Sequence, residues 1–435
     1  MLRVAITTLG CKVNRADGEA LMAAMGDLAT QVRFDGEADL YIINSCTVTR
    51  RADRQSRQLI NRARRTNPSA KVVLSGCMAA VMDPEALARL GVDQTFPLAG
   101  HPELIAYAAS LAGPEDKGRG ASRAAGQRDR PVLKIQDGCD CSCTYCIVPR
   151  ARGPGVSLPP HQVRAALDRL TAQGHVEVVL TGIHLGCYGK DLAPPTTLES
   201  LLRGQLGGTQ VSSRARLRLS SIEPLEITPG LQELVLRGGE GAADVCPHLH
   251  VPIQSGDDPV LEAMGRPYRM DQVEDLMHRL REARPDLALG TDLMAGFPGE
   301  DERAFGNSLR LVERSPLTHL HVFPYCPRPG TPAAELPGQV SKAVAKERAR
   351  ALREAGAIKL RAFMESQLGQ LRQVVVEGGG PSETGLAGMT DNYLRVRFEG
   401  PPELKGSLAN VRLDRIKDGV LIGTLRGTSR GPKTT

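Results

Sequence analysis

Between Val132 and Phe323 the chain repeats one rhythm, a helix-period stretch followed by a short apolar run, and that repetition leaves few folds open. Helices are expected over Pro160–Ala172, Leu198–Leu206, Pro229–Arg237, Asp258–Arg284 (interrupted at Gly265–Pro267) and Glu302–Arg314. Each leads to a strand, at Val176–Thr181, Arg216–Ser220, His248–Pro252, Leu287–Ala295 and His319–Phe323. With Val132–Gln136 as first strand this makes about six βα units, a partial (βα)6 barrel. Sites on such barrels gather at the carboxyl ends of the strands. Those ends read Gly138-Cys139, Thr181-Gly182-Ile183-His184, Ser220-Ser221-Ile222-Glu223, Gln254-Ser255-Gly256, Asp292 with Gly296-Phe297-Pro298-Gly299, and Tyr325. Polar and glycine residues concentrate where the fold places a site.

The first 112 residues alternate in the same way but more briefly. Strands are expected at Leu2–Leu9, Leu40–Asn44 and Val72–Ser75, and helices at Asp17–Met25, Asp53–Arg65 and Pro84–Leu90, which favours a small parallel sheet with crossover helices. Each strand ends in a cysteine: Gly10-Cys11, Ser45-Cys46 and Gly76-Cys77. In a parallel sheet all carboxyl ends share one edge, so three cysteines about 30 residues apart meet in space. Buried free cysteines are common core residues, which would explain each position singly. The repetition at every strand end favours a three-thiolate site instead.

A second set is local. Cys139, Cys143 and Cys146 form a Cys-x3-Cys-x2-Cys triplet with Cys141 inside it. A [4Fe–4S] cluster normally takes four cysteines, so three leave one iron open to an outside ligand. A zinc knuckle usually shows two Cys/His pairs; no second Cys-x2-Cys exists here, and His161 and His175 fall in an expected helix and strand. Cys141 would have to supply the fourth thiolate from a very tight loop.

The rest of the chain supplies context. The 435 residues suggest two to four domains. Residues 113–130 are rich in Gly, Ala and charge without apolar periodicity, and read as a linker. From about Gln367 the βα rhythm gives way to short strands at Leu371–Glu377, Tyr393–Phe398, Ser407–Leu413 and Gly419–Leu425, as in a small barrel. The expected organisation is therefore α/β and multi-domain: 1–112, linker 113–130, partial barrel 131–356, small β-barrel 357–428 and tail 429–435. No run reaches the roughly 20 apolar residues of a membrane span, and the N-terminus lacks signal-peptide features. A cytoplasmic protein is expected, its ten cysteines reduced and available for metal or catalysis.

A net charge of +6 only suggests an anionic partner. The last segment is nonetheless one-sidedly basic (Arg372, Arg395, Arg397, Lys405, Arg412, Arg415, Lys417, Arg426, Arg430, Lys433), and so is the helix near Cys46 (Arg50, Arg51, Arg54, Arg57, Arg62, Arg64, Arg65). Both would suit nucleic-acid phosphates, or be solvated faces. Aromatics make up 3% of the chain, so only Tyr393 and Phe398 offer themselves as base-stacking platforms in the last segment.

The triplet resembles that of the radical S-adenosylmethionine (SAM) superfamily, and nearly the whole chain resembles the radical-SAM methylthiotransferases. The residues that carry the likeness are Thr8-Leu9-Gly10-Cys11-Lys12-Val13-Asn14, Asn44-Ser45-Cys46-Thr47-Val48-Thr49, Ser75-Gly76-Cys77, the Cys139/Cys143/Cys146 triplet, Ser220-Ser221-Ile222-Glu223-Pro224, His250-Val251-Pro252-Ile253-Gln254-Ser255-Gly256 and Asp292-Leu293-Met294-Ala295-Gly296-Phe297-Pro298-Gly299-Glu300. The stretch Thr8–Asn14 is similar to the branch acting on N6-threonylcarbamoyladenosine at position 37 of tRNA, which becomes its 2-methylthio derivative. Arg150 stands where relatives often have Tyr, and Cys141 adds a thiol to the loop.

The resemblance implies two [4Fe–4S] clusters and SAM as cofactors, with Cys139, Cys143 and Cys146 holding the SAM-binding cluster and Cys11, Cys46 and Cys77 an auxiliary, sulfur-delivering one. It also implies that the terminal barrel is an RNA-binding TRAM domain. The partners implied are the tRNA anticodon stem-loop and a flavodoxin-like or similar electron donor. At the strand ends, Glu223, Gln254 and Asp292 are candidate acceptors for SAM's ammonium or ribose, with Thr181, Gly182 and Tyr145 beside the cofactor. Arg152 and Arg266 are candidate forks for a carboxylate, although a solvated surface position is expected for Arg266. His184 is expected as a strand-end or substrate-contacting residue. Methylthiolation of isopentenyladenosine 37 or of a ribosomal-protein aspartate, or a non-enzymatic RNA-binding zinc protein, are the competing readings.

Overall fold

The computed structural model describes residues 1–97, 102–112, 129–205, 215–237, 244–378 and 385–430; the expected linker lies almost wholly outside them. Two compact units emerge: Met1–Gln127 with Asp137–Cys141 and Cys146–Gly155, and Arg128–Gln136 with Ser142–Tyr145 and Val156–Thr435.

The first unit holds a five-stranded, all-parallel sheet in the order Ala29–Gln31, Leu2–Thr8, Leu40–Ser45, Lys71–Gly76, Gln94–Phe96. The central strand Leu40–Ser45 is buried along its whole length, as strands covered on both faces are. Its alternation divides the two faces. Leu40 and Ile42 pack with Leu21 and Met25 of the helix Lys12–Met25, whereas Tyr41 and Ile43 pack with Ile60 and Ala63 of the helix Arg50–Thr66. The three expected strands are present. The two edge strands, three residues each, carry no apolar run long enough to be legible.

The second unit begins with two parallel three-stranded sheets, Val132–Lys134 beside Glu177–Thr181 beside Arg216–Leu219, and His248–His250 beside Ala288–Ala295 beside His319–Pro324. Parallel bridges Leu217↔Val245 and Ser221↔His250 join them into one six-stranded arc in chain order. The expected helices Pro160–Ala172, Pro229–Arg237 and Glu302–Arg314 form, and the interrupted one splits into Asp258–Ala263 and Met270–Ala283. Leu289, Leu293 and Ala295 face the helix layer, packing in one core with Leu276, Leu311 and Val312.

A long helix, Lys342–Ser366, has no counterpart in the expected elements and runs through residues 356 and 357, where a domain boundary is expected. Its apolar positions are mostly alanines, broken by arginines and by Gly356. It buries little by itself. Ala349 and Leu352 join the core of the arc, and Phe363 and Met364 join that of the next domain. That domain is a closed five-stranded barrel in the order Leu371–Val376, Gly385–Thr390, Arg395–Glu399, Val420–Arg430, Leu408–Lys417. Its unforeseen strand, Gly385–Thr390, has the sequence GLAGMT, which gives no β-branched alternation.

The barrel is fixed to the amino ends of the arc. Glu177, fully buried, accepts from Nε of Arg216 (2.7 Å) and Nε of Arg218 (2.8 Å). Arg216 also donates to the carbonyls of Gln373 and Met389, and Arg218 to those of Asp391 and Thr390. The Tyr393 ring lies 4.3 Å from that of His248 and beneath Arg218. This corrects the stacking-platform expectation: Tyr393 is occupied at the seam, and Phe398 is buried in the barrel core because strand Arg395–Glu399 turns Val396 and Phe398 inward. Arg372 is likewise used internally, paired with Asp286 and Gln367. Arg395, Arg397, Arg415, Lys417 and Arg426 remain exposed; the side chain of Arg430 and all of Lys433 lie outside the described residues.

Candidate cluster and cofactor sites

In the first unit the register pairs Thr8 with Asn44, Asn44 with Ser75, and Ser45 with Gly76. Cys46 and Cys77 therefore leave the sheet side by side. Cys11 comes from the neighbouring strand after a turn at Gly10, whose φ of +95° favours glycine. A Cβ at Gly10 would sit 2.6 Å from Cβ of Cys46 and 2.8 Å from its sulfur, so the turn rests directly on that thiol. Cys11 caps the helix Lys12–Met25 and Cys77 opens the short helix Cys77–Val81. Cys11 is exposed, and Cys46 and Cys77 are buried.

Burial pushes the Cys46 thiol up to about 12, and the neighbouring Cys77 and Cys11 add to this. Burial also raises Cys77, opposed by Arg152. Cys46 and Cys77, held back from ionising by burial, stand with Cys11 as three soft donors for a metal that replaces thiol protons, which suits an iron–sulfur cluster.

Arg152 is not an open fork. Its side chain is fully buried and donates to Asp17 (2.8 Å), to Asp137 (2.7 Å) and to Asn14 Oδ1. Asn14 Nδ2 donates in turn to the carbonyls of Leu9 and Ser45, beside the cysteine edge. One guanidinium therefore ties that edge to Asp137, two residues before Cys139. Sequence reasoning gave no role to Asn14, Asp17 or Asp137; the Asn three residues after Cys11 was the available signal.

The triplet loop is divided between the units, Cys139 and Cys146 falling with the first and Cys143 with the second. In the first, Gly138 (φ +70°) leaves no room for a side chain, since a Cβ would lie 1.8 Å from the Pro154 carbonyl oxygen. Cys139 N–H donates to the Gly153 carbonyl, and Cys141 N–H to the Cys139 sulfur at 3.4 Å. Arg150 is exposed. In the second unit, Thr144 is held by the Met264 and Ala263 carbonyls and by Ala333 N–H. Tyr145 packs edge-on against Phe297.

At the carboxyl ends of the arc, Thr181 is buried and its carbonyl accepts from Ile135 N–H. Gly182 backs onto the Gln136 side chain, whose Oε1 accepts from His184 N–H. Glu223 pairs with Arg266 at 2.9 Å; burial raises the Glu223 carboxyl against the pull of that arginine. Arg266, expected at the surface, is instead buried with its charge near the Tyr145 and Tyr268 rings. Gln254 is buried at φ +77°, a strained value for a residue with a side chain, and its Oε1 has no partner among the described residues. Such strain is characteristic of ligand-binding positions. Asp292 is flanked by His250 (3.0 Å) and His321 (3.3 Å). His184 pairs with Glu226 at 2.8 Å beside Cys187. Glu223, Gln254 and the Tyr145 ring thus offer acceptors and an aromatic face at the end of the arc that also carries Cys143, a set suited to a zwitterionic, ribose-bearing cofactor.

On the helix Arg50–Thr66, Ala52, Ser56, Ile60 and Ala63 are buried and Arg50, Arg51, Arg54, Arg57, Arg62 and Arg65 are exposed. Arg64 is not available to a partner, being bonded to Asp93, Gly91 and Ala70. No helix of the described residues is long and apolar enough to cross a membrane.

Residues 3–96 match the uncharacterized protein family UPF0004, and residues 133–312 the radical SAM superfamily. The chain is 35% identical, over 95% of its length and 94% of the relative's, to a threonylcarbamoyladenosine tRNA methylthiotransferase MtaB of Bacillus subtilis. It is 32% identical to the protein of the same name in Thermotoga maritima, over 97% of this chain and 96% of that one. A tRNA-2-methylthio-N(6)-dimethylallyladenosine synthase of Staphylococcus epidermidis is 31% identical over 96% of this chain and 84% of its own. Among solved structures, the radical S-adenosylmethionine methyltransferase TsrM of Kitasatospora setae, with cobalamin and a [4Fe-4S] cluster bound, superposes with a TM-score of 0.56 at 15% identity. That match covers 76% of this chain and 77% of TsrM and speaks to the fold alone.

Proposed function

The chain belongs to the radical-SAM tRNA methylthiotransferases, and from that premise we propose that it converts N6-threonylcarbamoyladenosine 37 of tRNA to its 2-methylthio derivative. The observation that carries this reading is the meeting of Cys11, Cys46 and Cys77 at one sheet edge, in a chain that also has the Cys139/Cys143/Cys146 loop. A single cluster would serve radical generation; the second triplet supplies the sulfur chemistry.

Cys139, Cys143 and Cys146 would hold the cluster that binds SAM, and Cys11, Cys46 and Cys77 the auxiliary one. When bound, these groups supply an electron, a carbon radical and a methylated sulfur for an aromatic C–H that is neither acidic nor electrophilic enough for acid–base chemistry. The chain's own residues position and enclose. Glu223 and Gln254 present acceptors to SAM's ammonium and ribose, with Arg266 fixing the Glu223 carboxylate. Tyr145, braced by Phe297, covers the loop and offers a face to an adenine ring. Arg152 holds Asp137, and so the root of the loop, to the edge that carries Cys11. Binding and orienting the reactants is the protein's share of the rate.

The terminal barrel acts as a TRAM-type RNA module. With Tyr393 and Phe398 withdrawn from its surface, Arg395, Arg397, Arg415, Lys417 and Arg426 contact phosphates of the anticodon arm, as do the exposed arginines of Arg50–Arg65. Its binding therefore weakens steeply with salt. A flavodoxin-like or similar donor supplies electrons, and the work is done in the cytoplasm on RNA. Mass spectrometry of tRNA nucleosides from a strain lacking the protein tests the assignment. Loss of 2-methylthio-N6-threonylcarbamoyladenosine supports it; persistence of that nucleoside with loss of the isopentenyl counterpart moves the substrate to the other branch.

A further inference from the structure

Along the strand Ala288–Ala295 the side chains alternate between the helix layer and the opposite face of the arc. On that opposite face Ala288 enters the barrel core, Asp292 meets two histidines, and Met294 joins Phe297 and Tyr145. The face is therefore stratified: a closed amino end, a His250–Asp292–His321 layer, then the aromatic group beside the cysteine loop. Asp292 Oδ1 takes both His250 Nε2 and His321 Nδ1, and the rings lie 5.1 Å apart, inclined at 31°. His250 is wedged over Gly290, where a Cβ would come within 2.7 Å of its ring. His321 differs, with 63% of its side chain exposed. With Nδ1 committed to Asp292, its Nε2 is directed away from the carboxylate.

We propose that this triad is the subsite for the threonylcarbamoyl arm of the target base, with His321 contacting the arm's carboxylate and Asp292 acting as its positioning residue. The proposal deepens the reading of the preceding subsection and rests on it. The arm carries a carboxylate, a hydroxyl and carbamoyl N–H groups, all of which need polar partners when taken from water. In contact with that carboxylate His321 is the imidazolium, donating Nδ1–H to Asp292 and Nε2–H to the arm, so that the entering anion meets a cation. An apolar arm laid on the same layer would desolvate the trio without compensation, so the site selects against it as well as for its own substrate. A base held by its arm here would have its ring toward Tyr145 and Phe297, the part of this unit that carries Cys143. The same three atoms would also suit a divalent cation, and the test separates the two.

Two anticodon stem-loop RNAs are compared with the cluster-loaded enzyme, one bearing N6-threonylcarbamoyladenosine and one with its threonyl carboxylate converted to the amide. Affinity is read by fluorescence anisotropy and transfer by mass spectrometry, with iron content checking each variant. The wild type should prefer the acid by roughly tenfold or more, as expected for a charge-assisted contact. His321→Ala should bring the two affinities within about twofold of each other, and His321→Gln should fall between. An acid-to-amide ratio unchanged in His321→Ala overturns the proposal. So does stoichiometric zinc, or another divalent metal, that is present in the wild type and lost in that variant. Failure of the underlying substrate reading looks different: the wild type then modifies neither RNA but modifies one bearing isopentenyladenosine.

Discussion

The two ends of the six-stranded arc are built from the same strands yet treat polarity in opposite ways. At the amino end, the buried charges Glu177, Arg216 and Arg218 satisfy one another, and the arginines go on to cap barrel carbonyls. At the carboxyl end, Gln254 keeps a strained backbone and an unpartnered Oε1, and the buried Tyr325 hydroxyl likewise has no partner among the described residues. His321 stays open to solvent. The first end is largely saturated, its buried charges spent on one another and on barrel carbonyls; the second holds back hydrogen-bonding capacity for a ligand. Stability and chemistry are thus assigned to opposite ends of one sheet, as the fold class allows.

Substitutions should keep those two properties apart. Cys143→Ala, at the chemical end, should abolish reductive SAM cleavage, measured as 5′-deoxyadenosine, while leaving the urea midpoint of the cluster-free protein in place. Glu177→Ala, at the other end, leaves two buried arginines uncompensated and should cost about 3–5 kcal/mol in urea unfolding. The rate of SAM cleavage per folded molecule should survive; its loss would break the division.

A pH effect of intermediate size belongs to the saturated end. Burial, then the nearby His321, hold His319 down from 6.5 to about 4. The unfolded chain takes up that proton first. The His319 contribution is therefore intact above about pH 6.5 and lost progressively as pH falls toward about 4, at most roughly 3 kcal/mol. His319→Asn should flatten that part of the stability profile, and an unchanged slope would remove His319 as its source. The smallest effect is expected at Glu223. Glu223→Gln should raise the SAM concentration for half-maximal cleavage about tenfold, roughly 1.4 kcal/mol, measured on the folded fraction because the change also leaves Arg266 without its charge partner.

How legible all this was depended on whether the determinant was local. Every strand of the arc and the Cys139/Cys143/Cys146 loop could be read from adjacent residues. Cys11, Cys46 and Cys77 carry no local motif, but became legible once parallel strands were inferred, because topology alone brings strand ends together. Side-chain commitments were not legible. Arg152, Arg266 and Arg64 look alike in sequence as free cations, yet each is spent on a carboxylate or carbonyl far along the chain. Tyr393 and Phe398 failed as platforms for the same reason, since which face a barrel strand turns inward depends on its partners. The helix Lys342–Ser366 was invisible because its burial is shared between two cores, neither of which shapes its sequence into one stripe.

The two cysteine triplets do different work, and Cys11→Ala separates them. In the anaerobically reconstituted variant, with its Cys139/Cys143/Cys146 cluster confirmed by iron content and spectrum, 5′-deoxyadenosine formation is measured alongside methylthiolated RNA. SAM should still be cleaved while no sulfur reaches adenine. Loss of SAM cleavage in that folded variant, or continued sulfur insertion, would contradict that division of work.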